Sequence, residues 1–485
     1  MAEKNYRMFI LHDKRLLING AKGRQAPYDI DYLKQLYTEA GLTVTVIDAA
    51  ALAGKKTFNN ALCDILVIPS GPVFPSMAEE NFKAFVSGGG RVITLGGFAF
   101  SRVLDVTGIM MEKEISTSLG TNKPQSTDDG VVRYNSGSMP LFDMDYTYQG
   151  AVTVKAHGSQ AIFKGEADLS ANPLSGYSAV TVIGDNKRRW QPLLEGYDIN
   201  GGRIGTVGAL LYLNSRDFDA STFVPTWNNY RNSAIAFFGV TNQDITKNKA
   251  LRDGFQKLPF FMMEGTYVGV IRNKYDCYRQ GENPVINARL ENTTQKDMSG
   301  HVVFRVTEED SGKTVFEQQV PFTSGKRSCQ DITVTWKTAG FDDDFYVVSA
   351  RTYNDSNELT DICLTGFSVW NTEVIAKGPR YVYEDNYIKL IPDDKTKQTV
   401  LISGADDGPE IFLTDYMTPL VWRQDFIDRR DMGMNLYENL QQYSWAGDTW
   451  IFNTEEERER YYRKVDNAVY LSQKYNQIYK MGIAI

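Results

Sequence analysis

The chain has 485 residues, 42% of them hydrophobic and 23% charged, with a formal net charge of -8. Single hydrophobic cores stop growing at roughly 250 to 300 residues, so this length calls for several domains, about three, and the ordinary composition makes them globular rather than disordered. Lys and Arg are dispersed rather than gathered into a phosphate-neutralising stripe, which argues against nucleic acid, and no stretch approaches the roughly 20 apolar residues of a membrane span.

The start, Met1-Ala2-Glu3-Lys4-Asn5-Tyr6, has no apolar signal core, so the expectation is a cytoplasmic protein or one whose signal is absent from this sequence. The first apolar run is Arg7 to Leu11, a strand. A helix follows from Ile30 to Ala40, with Leu33, Leu36, Tyr37 and Ala40 on one face and Gly41 as its stop. Leu42 to Asp48 and Ile65 to Ile68 read as two more strands. A helix between Ser76 and Gly88 begins on a capping box, Ser76 with Glu79, and Arg91 to Leu95 is a fourth strand. Alternating strands and helices imply a mostly parallel sheet covered on both faces, a flavodoxin-like core within about residues 1 to 255. Further along, Gly201 to Leu211 reads as a strand with glycine kinks, followed by an amphipathic run of helical character ending Ala234 to Gly239.

The segment Asp64-Ile-Leu-Val-Ile-Pro-Ser-Gly71, a helix, and then Gly88-Gly-Gly-Arg-Val-Ile-Thr-Leu-Gly-Gly97 resembles the class I glutamine amidotransferase-like superfamily. It resembles most the version that serves as an assembly domain in certain β-galactosidases. Catalytic members carry a cysteine at the turn after the fourth strand and a distant histidine as base. Here the turn reads Leu95-Gly-Gly-Phe-Ala-Phe-Ser101. Cys63 lies before the third strand, and no histidine occurs between His157 and His301. The resemblance therefore implies a non-catalytic scaffold that contacts a neighbouring domain or subunit, with a homo-oligomer through this domain as the possible partner. Ser101 reads as a cap or surface residue. Asn19 to Arg24 matches neither GxxxxGK[ST] nor GxGxxG and reads as a loop rather than a phosphate cradle.

From about residue 262 to 375 the pattern shifts to short runs between turn residues: Tyr267 to Arg272, Pro284 to Leu290, Gly300 to Val306, Thr314 to Val320, Asp331 to Trp336, Phe345 to Tyr353 and Thr360 to Trp370. Seven strands at this spacing predict an immunoglobulin-like β-sandwich, with turns at Glu309 to Gly312 and Asn354 to Asn357. The cysteines of the chain, Cys63, Cys277, Cys329 and Cys363, form no CxxC pair and no antibody-type Cys, Trp, Cys arrangement. Buried free thiols or at most one bridge are expected. His12, His157 and His301 stand too far apart to suggest zinc, and no cofactor is expected. The acidic run Phe341-Asp-Asp-Asp-Phe345 lacks spaced calcium ligands and reads as a solvated turn.

In about residues 376 to 485, Tyr387 to Leu390 and Thr399 to Ser403 read as a hairpin leading to a loop, Gly404 to Pro409. A helix from about Leu420 to Met432 stops at Gly433, and Met434 to Leu440 is a strand. A long helix from about Glu455 to Lys480, capped by Thr454 with Glu457, ends at Gly482, and Ile483 to Ile485 begins another strand. The run Trp422-Arg-Gln-Asp-Phe-Ile-Asp-Arg-Arg-Asp-Met-Gly-Met-Asn435, followed by Leu436-Tyr-Glu-Asn439, resembles the lead-in to the barrel of (β/α)8 glycoside hydrolases. The order of segments resembles that of multidomain β-glycosidases over nearly the whole chain.

The resemblance implies the N-terminal accessory region and barrel start of a carbohydrate-active enzyme. The two carboxylates of such enzymes come from later strands, so no catalytic residue is assigned and the chain alone is expected to be inactive. Glu438, Trp445 and Trp450 are the candidate sugar-binding residues, for hydrogen bonding and for stacking on a pyranose; the alternative is a structural ion pair and rim packing. By resemblance the parent protein is periplasmic or secreted. A different reading of the whole chain is a glycan-binding or scaffold protein without catalysis.

Overall fold

The computed structural model describes residues 5–15, 28–70, 73–97, 152–158, 160–169, 188–213, 233–240, 243–377, 418–441 and 454–483. Between these it describes short strand segments within 102–149, 177–182, 380–391 and 404–406. The protein is a mixed α/β chain with extensive β-sheet.

In the N-terminal part, β1 (Arg7–Leu11), α1 (Ile30–Glu39), β2 (Thr43–Ile47), α2 (Ala49–Ala53), β3 (Ile65–Ile68), α3 (Glu79–Ser87) and β4 (Arg91–Thr94) follow one another. The sequence then supplies β5 (Thr153–Ala156), β6 (Glu166–Asp168), β7 (Arg188–Tyr197), β8 (Arg203–Leu213), β9 (Ser233–Phe238) and α4 (Lys249–Glu264). The strands form one nine-stranded sheet in the order β6-β5-β7-β8-β9-β4-β3-β1-β2. Strands β2, β1, β3, β4 and β9 run parallel, whereas β8, β7, β5 and β6 extend the sheet antiparallel. The expected mostly parallel sheet is thus only about half of the one that forms.

Ala234 to Phe238 lies wholly within a strand, where an amphipathic run of helical character was expected. All six residues of β9 are buried, and a continuous buried run between two neighbouring strands suits a strand covered on both faces. Two cores cover the sheet. One packs Leu33, Leu36 and Tyr37 of α1 with Leu251, Phe255 and Leu258 of α4; the other packs Leu52 of α2 with Phe82, Phe85 and Val86 of α3. Helix α1 starts on Asp29, whose side chain accepts from the Tyr32 amide, and it gives way to Gly41 at a φ of 95°.

The next part is built from β10 (Tyr267–Asn273), β11 (Cys277–Tyr278), β12 (Val285–Asn292), β13 (Met298–Glu308), β14 (Thr314–Ser324), β15 (Ser328–Thr335), β16 (Phe345–Asn354) and β17 (Leu359–Val369). They form a three-stranded sheet, β10-β12-β15, and a five-stranded sheet, β11-β17-β16-β13-β14. Ile286, Leu290 and Ile332 from the first sheet share a core with Phe304, Tyr346 and Phe367 from the second. All four cysteines are free, and Cys63, Cys277 and Cys363 are buried.

The C-terminal part holds β18 (Gly404–Asp406), α5 (Pro419–Asp431), β19 (Leu436–Gln441), α6 (Glu455–Lys474) and β20 (Ile478–Ile483), with the three strands parallel in the order β18-β19-β20. Two expectations change. Gly404 to Asp406, read as loop, is a strand. The long helix ends at Lys474 instead of Lys480, and Ile478 to Ile483 is already strand. The stop is Asn476, which takes a left-handed φ of 57°; beside it the Gln477 amide donates back to the Ser472 carbonyl. The hairpin strand expected at Thr399 to Ser403 lies outside the described residues.

Candidate functional site

Strand register builds the site. Asp406 of β18 is opposite Glu438 of β19, and Glu438 is opposite Lys480 of β20, so the three lie in one row across the sheet. Neighbouring strands are roughly 4.8 Å apart, and residues alternate between the two faces. The adjacent row is Ala405, Tyr437 and Tyr479, and Tyr479 packs against the cluster containing Trp422 and Phe426 of α5 and Ala468 and Leu471 of α6. Asp406, Glu438 and Lys480 form the next register row along the strands.

Glu438 stands at the third position of the six-residue β19 rather than at its end. Trp445 and Trp450 lie outside the described residues. Sequence reading missed Asp406, because Gly404-Ala-Asp-Asp-Gly-Pro409 has the composition of a turn, and missed Lys480, because a helical reading was carried through it. Asn476 was the signal for the second.

The helices beneath this sheet are seated on the sandwich by charge. Arg423 of α5 pairs with Glu309 at 2.5 Å, Arg463 of α6 with Glu282 at 2.8 Å and Asp466 of α6 with Arg279 at 2.6 Å. Asp344 accepts from Lys474 Nζ at 2.5 Å and from the Tyr470 hydroxyl at 2.5 Å. Burial opposes the Lys474 charge, yet the bond to Asp344, its carboxylate charge and the nearby Tyr475 and Asp310 together hold the ammonium above the usual lysine range. The acidic run is a turn with Asp342 exposed, as expected, and its Asp344 in addition seats α6.

Asp310, Asp343 and Asp344 bring carboxylate oxygens within 4.8 Å of one another, beside a cavity of about 360 Å³ that Gln280, Glu308 and Asn371 help to line. The loop's own amides use much of that oxygen, since Asp343 accepts from the amides of Asp310, Asp344 and Phe345.

In the N-terminal sheet the turn after β4 places Gly96 and Gly97 at φ of 89° and 123°. A Cβ on Gly96 would stand 2.9 Å from the Pro69 carbonyl oxygen, so this turn requires glycine. Cys63 is buried away from it, its Sγ 3.2 Å from the Ile65 carbonyl, and burial pushes the thiol up to about 12, far from a reactive thiolate. Ser101 and Asn19 to Arg24 lie outside the described residues. His157 lies 3.7 Å from Glu195, which also accepts from Arg203 at 2.7 Å and Tyr197 at 3.0 Å. Antiparallel pairing of β5 with β7 assembles this cluster, and nothing in the sequence spacing announces it.

No protein-family profile and no curated protein matches the chain. Among solved structures it is similar to a β-galactosidase from Rahnella sp. R3, with 12% identity, a TM-score of 0.33, and 68% of this chain and 41% of that one covered. It is similar to a β-galactosidase from Bacillus circulans sp. alkalophilus, with 11% identity, a TM-score of 0.31, and 68% and 41% covered. It is also similar to a β-galactosidase from the haloarchaeon Halorubrum lacusprofundi, with 12% identity, a TM-score of 0.29, and 67% and 39% covered. The chain thus spans 41% of the length of the first two enzymes.

Proposed function

We propose that the chain is the N-terminal accessory region and opening barrel segment of a glycoside hydrolase, divided at about residues 1–255, 262–375 and 376–485. In this reading the first part is a non-catalytic, amidotransferase-like scaffold for self-assembly and the second an immunoglobulin-like sandwich. The third begins a (β/α)8 barrel. The observation that carries the proposal is the backbone register that sets Asp406, Glu438 and Lys480 in one row across three parallel strands. In barrels of this class substrate sits where the strands end.

The row suits sugar chemistry. Carboxylates accept from hydroxyl groups and an ammonium donates to them, and charge-assisted bonds of this kind are about twice as strong as neutral ones. Glu438 then serves as one wall of a sugar site, with Trp445 and Trp450 as stacking faces, while hydrolysis falls to carboxylates on later strands.

Saturation-transfer NMR with simple galactosides and glucosides tests this. Transfer to the wild-type chain, loss of transfer in Glu438→Gln and no cleavage of nitrophenyl glycosides are expected. Cleavage by this chain would contradict the division of labour.

A further inference from the structure

The two edges of the nine-stranded sheet are unlike. At one edge β6 is three residues long and reads Glu166-Ala167-Asp168, short and charged as protected edges are. At the other, β2 reads Thr43-Val44-Thr45-Val46-Ile47, with no charge, no proline and no break in its register with β1. Its Thr43, Thr45 and Val46 side chains are exposed, and Val46 is 39% accessible.

The ladder fixes which backbone groups face outward. The Thr43 amide donates to Tyr6 and the Ile47 carbonyl accepts from His12, so the odd-numbered residues of β2 bond to β1. In a parallel pair the alternate residues, Val44 and Val46, direct their amides and carbonyls toward the free edge.

We propose that β2 is a self-association strand, which pairs antiparallel with β2 of a second copy of this chain about a two-fold axis at Thr45. This deepens the assembly half of the proposed function and is independent of its sugar half. The axis sets Val44 against Val46 of the second copy, twice, so that the two outward-facing residues on each side exchange four backbone hydrogen bonds. Thr45 meets its own mate, and Thr43 meets Ile47. Every cross-strand pair is β-branched, the composition that stabilises such ladders, and none is charged. A second copy is the occupant the strand fits, because the sequence is complementary to itself about Thr45. A stable interface needs about 1,000 Å², more than one short strand buries, so the proposed contact extends beyond β2 itself.

The Thr45 pair is of the non-hydrogen-bonded kind, with Cα atoms about 4.5 Å apart, inside the range a disulfide spans. The test is the full chain as Thr45→Cys in a Cys329→Ser background, exposed to mild oxidant and run on a non-reducing gel. A crosslinked dimer is expected, while Asp168→Cys on the opposite edge stays uncrosslinked. Sedimentation should show a dimer for wild type and a monomer for Val46→Lys with an unchanged melting temperature. A wild-type dimer whose Thr45→Cys variant does not crosslink would overturn the β2 contact and leave assembly to another surface. A monomer at every concentration would overturn both.

Discussion

Arg189 of β7 meets Asp361 of β17 at 2.5 Å, with the two side chains only 10% and 0% exposed, and this pair joins the nine-stranded sheet to the sandwich. The same guanidinium donates to the carbonyls of Val268 and Ile362 at 2.7 Å each, and the Asp361 carboxylate also accepts from the Val268 amide at 2.8 Å. Tyr212 stacks on Tyr267 beside it with ring centroids 3.8 Å apart. Burial works against the Arg189 charge, but the Asp361 carboxylate outweighs it and holds the guanidinium's proton more tightly than usual. Removing Asp361 strands a buried cation and an amide together. Asp361→Ala should therefore cost about 3–5 kcal/mol in urea denaturation, and pairing it with Arg189→Met should recover part of that loss.

Helix α6 should leave the sandwich at alkaline pH. The Lys474 ammonium is held above its ordinary value by Asp344, so its contribution is fully present below about pH 10.4 and is lost as pH rises through the folded value. Limited proteolysis of α6 across roughly pH 8 to 12 should show a protected helix that becomes cleavable only above the ordinary lysine value. In Lys474→Met the alkaline step should be absent.

Thiol chemistry should divide the cysteines. Burial pushes the Cys63 and Cys277 thiols up to about 12 and that of Cys363 to about 11, whereas Cys329 is only partly buried. An aromatic disulfide reagent at neutral pH should modify Cys329 alone in the native protein and all four residues in urea. Modification of Cys363 at a comparable rate would show that the sandwich opens readily.

Helix α4 leaves no room beside the antiparallel extension of the sheet. A Cβ on Gly254 would stand 2.3 Å from Cδ1 of Phe163, which packs in turn on Phe238 and Phe255. Gly254→Ala should lower stability by about 1–3 kcal/mol despite alanine's better helix propensity, as read from a thermal melt.

Much of this arrangement was legible in the residues. The runs Arg7 to Leu11, Ile65 to Ile68 and Arg91 to Thr94, the Gly41 and Gly433 stops and the alternating runs from Tyr267 onward all appear where periodicity and turn chemistry put them. What periodicity could not show was pairing. Ser233 to Phe238 is apolar throughout and carries no period that separates strand from helix, so its place between β8 and β4 was hidden. The seat for α6 on Asp344, the Arg189 to Asp361 pair and the Asp406, Glu438 and Lys480 row each join residues brought together only by tertiary contact.

Binding of the full chain to a glycan array, with Glu438→Gln beside it, tests whether this row is one wall of a sugar site. Retention on at least one class of glycan is expected of the wild type and loss of retention of the variant, with both proteins melting alike. Binding that survives Glu438→Gln, or a wild-type chain that binds no glycan, would contradict it.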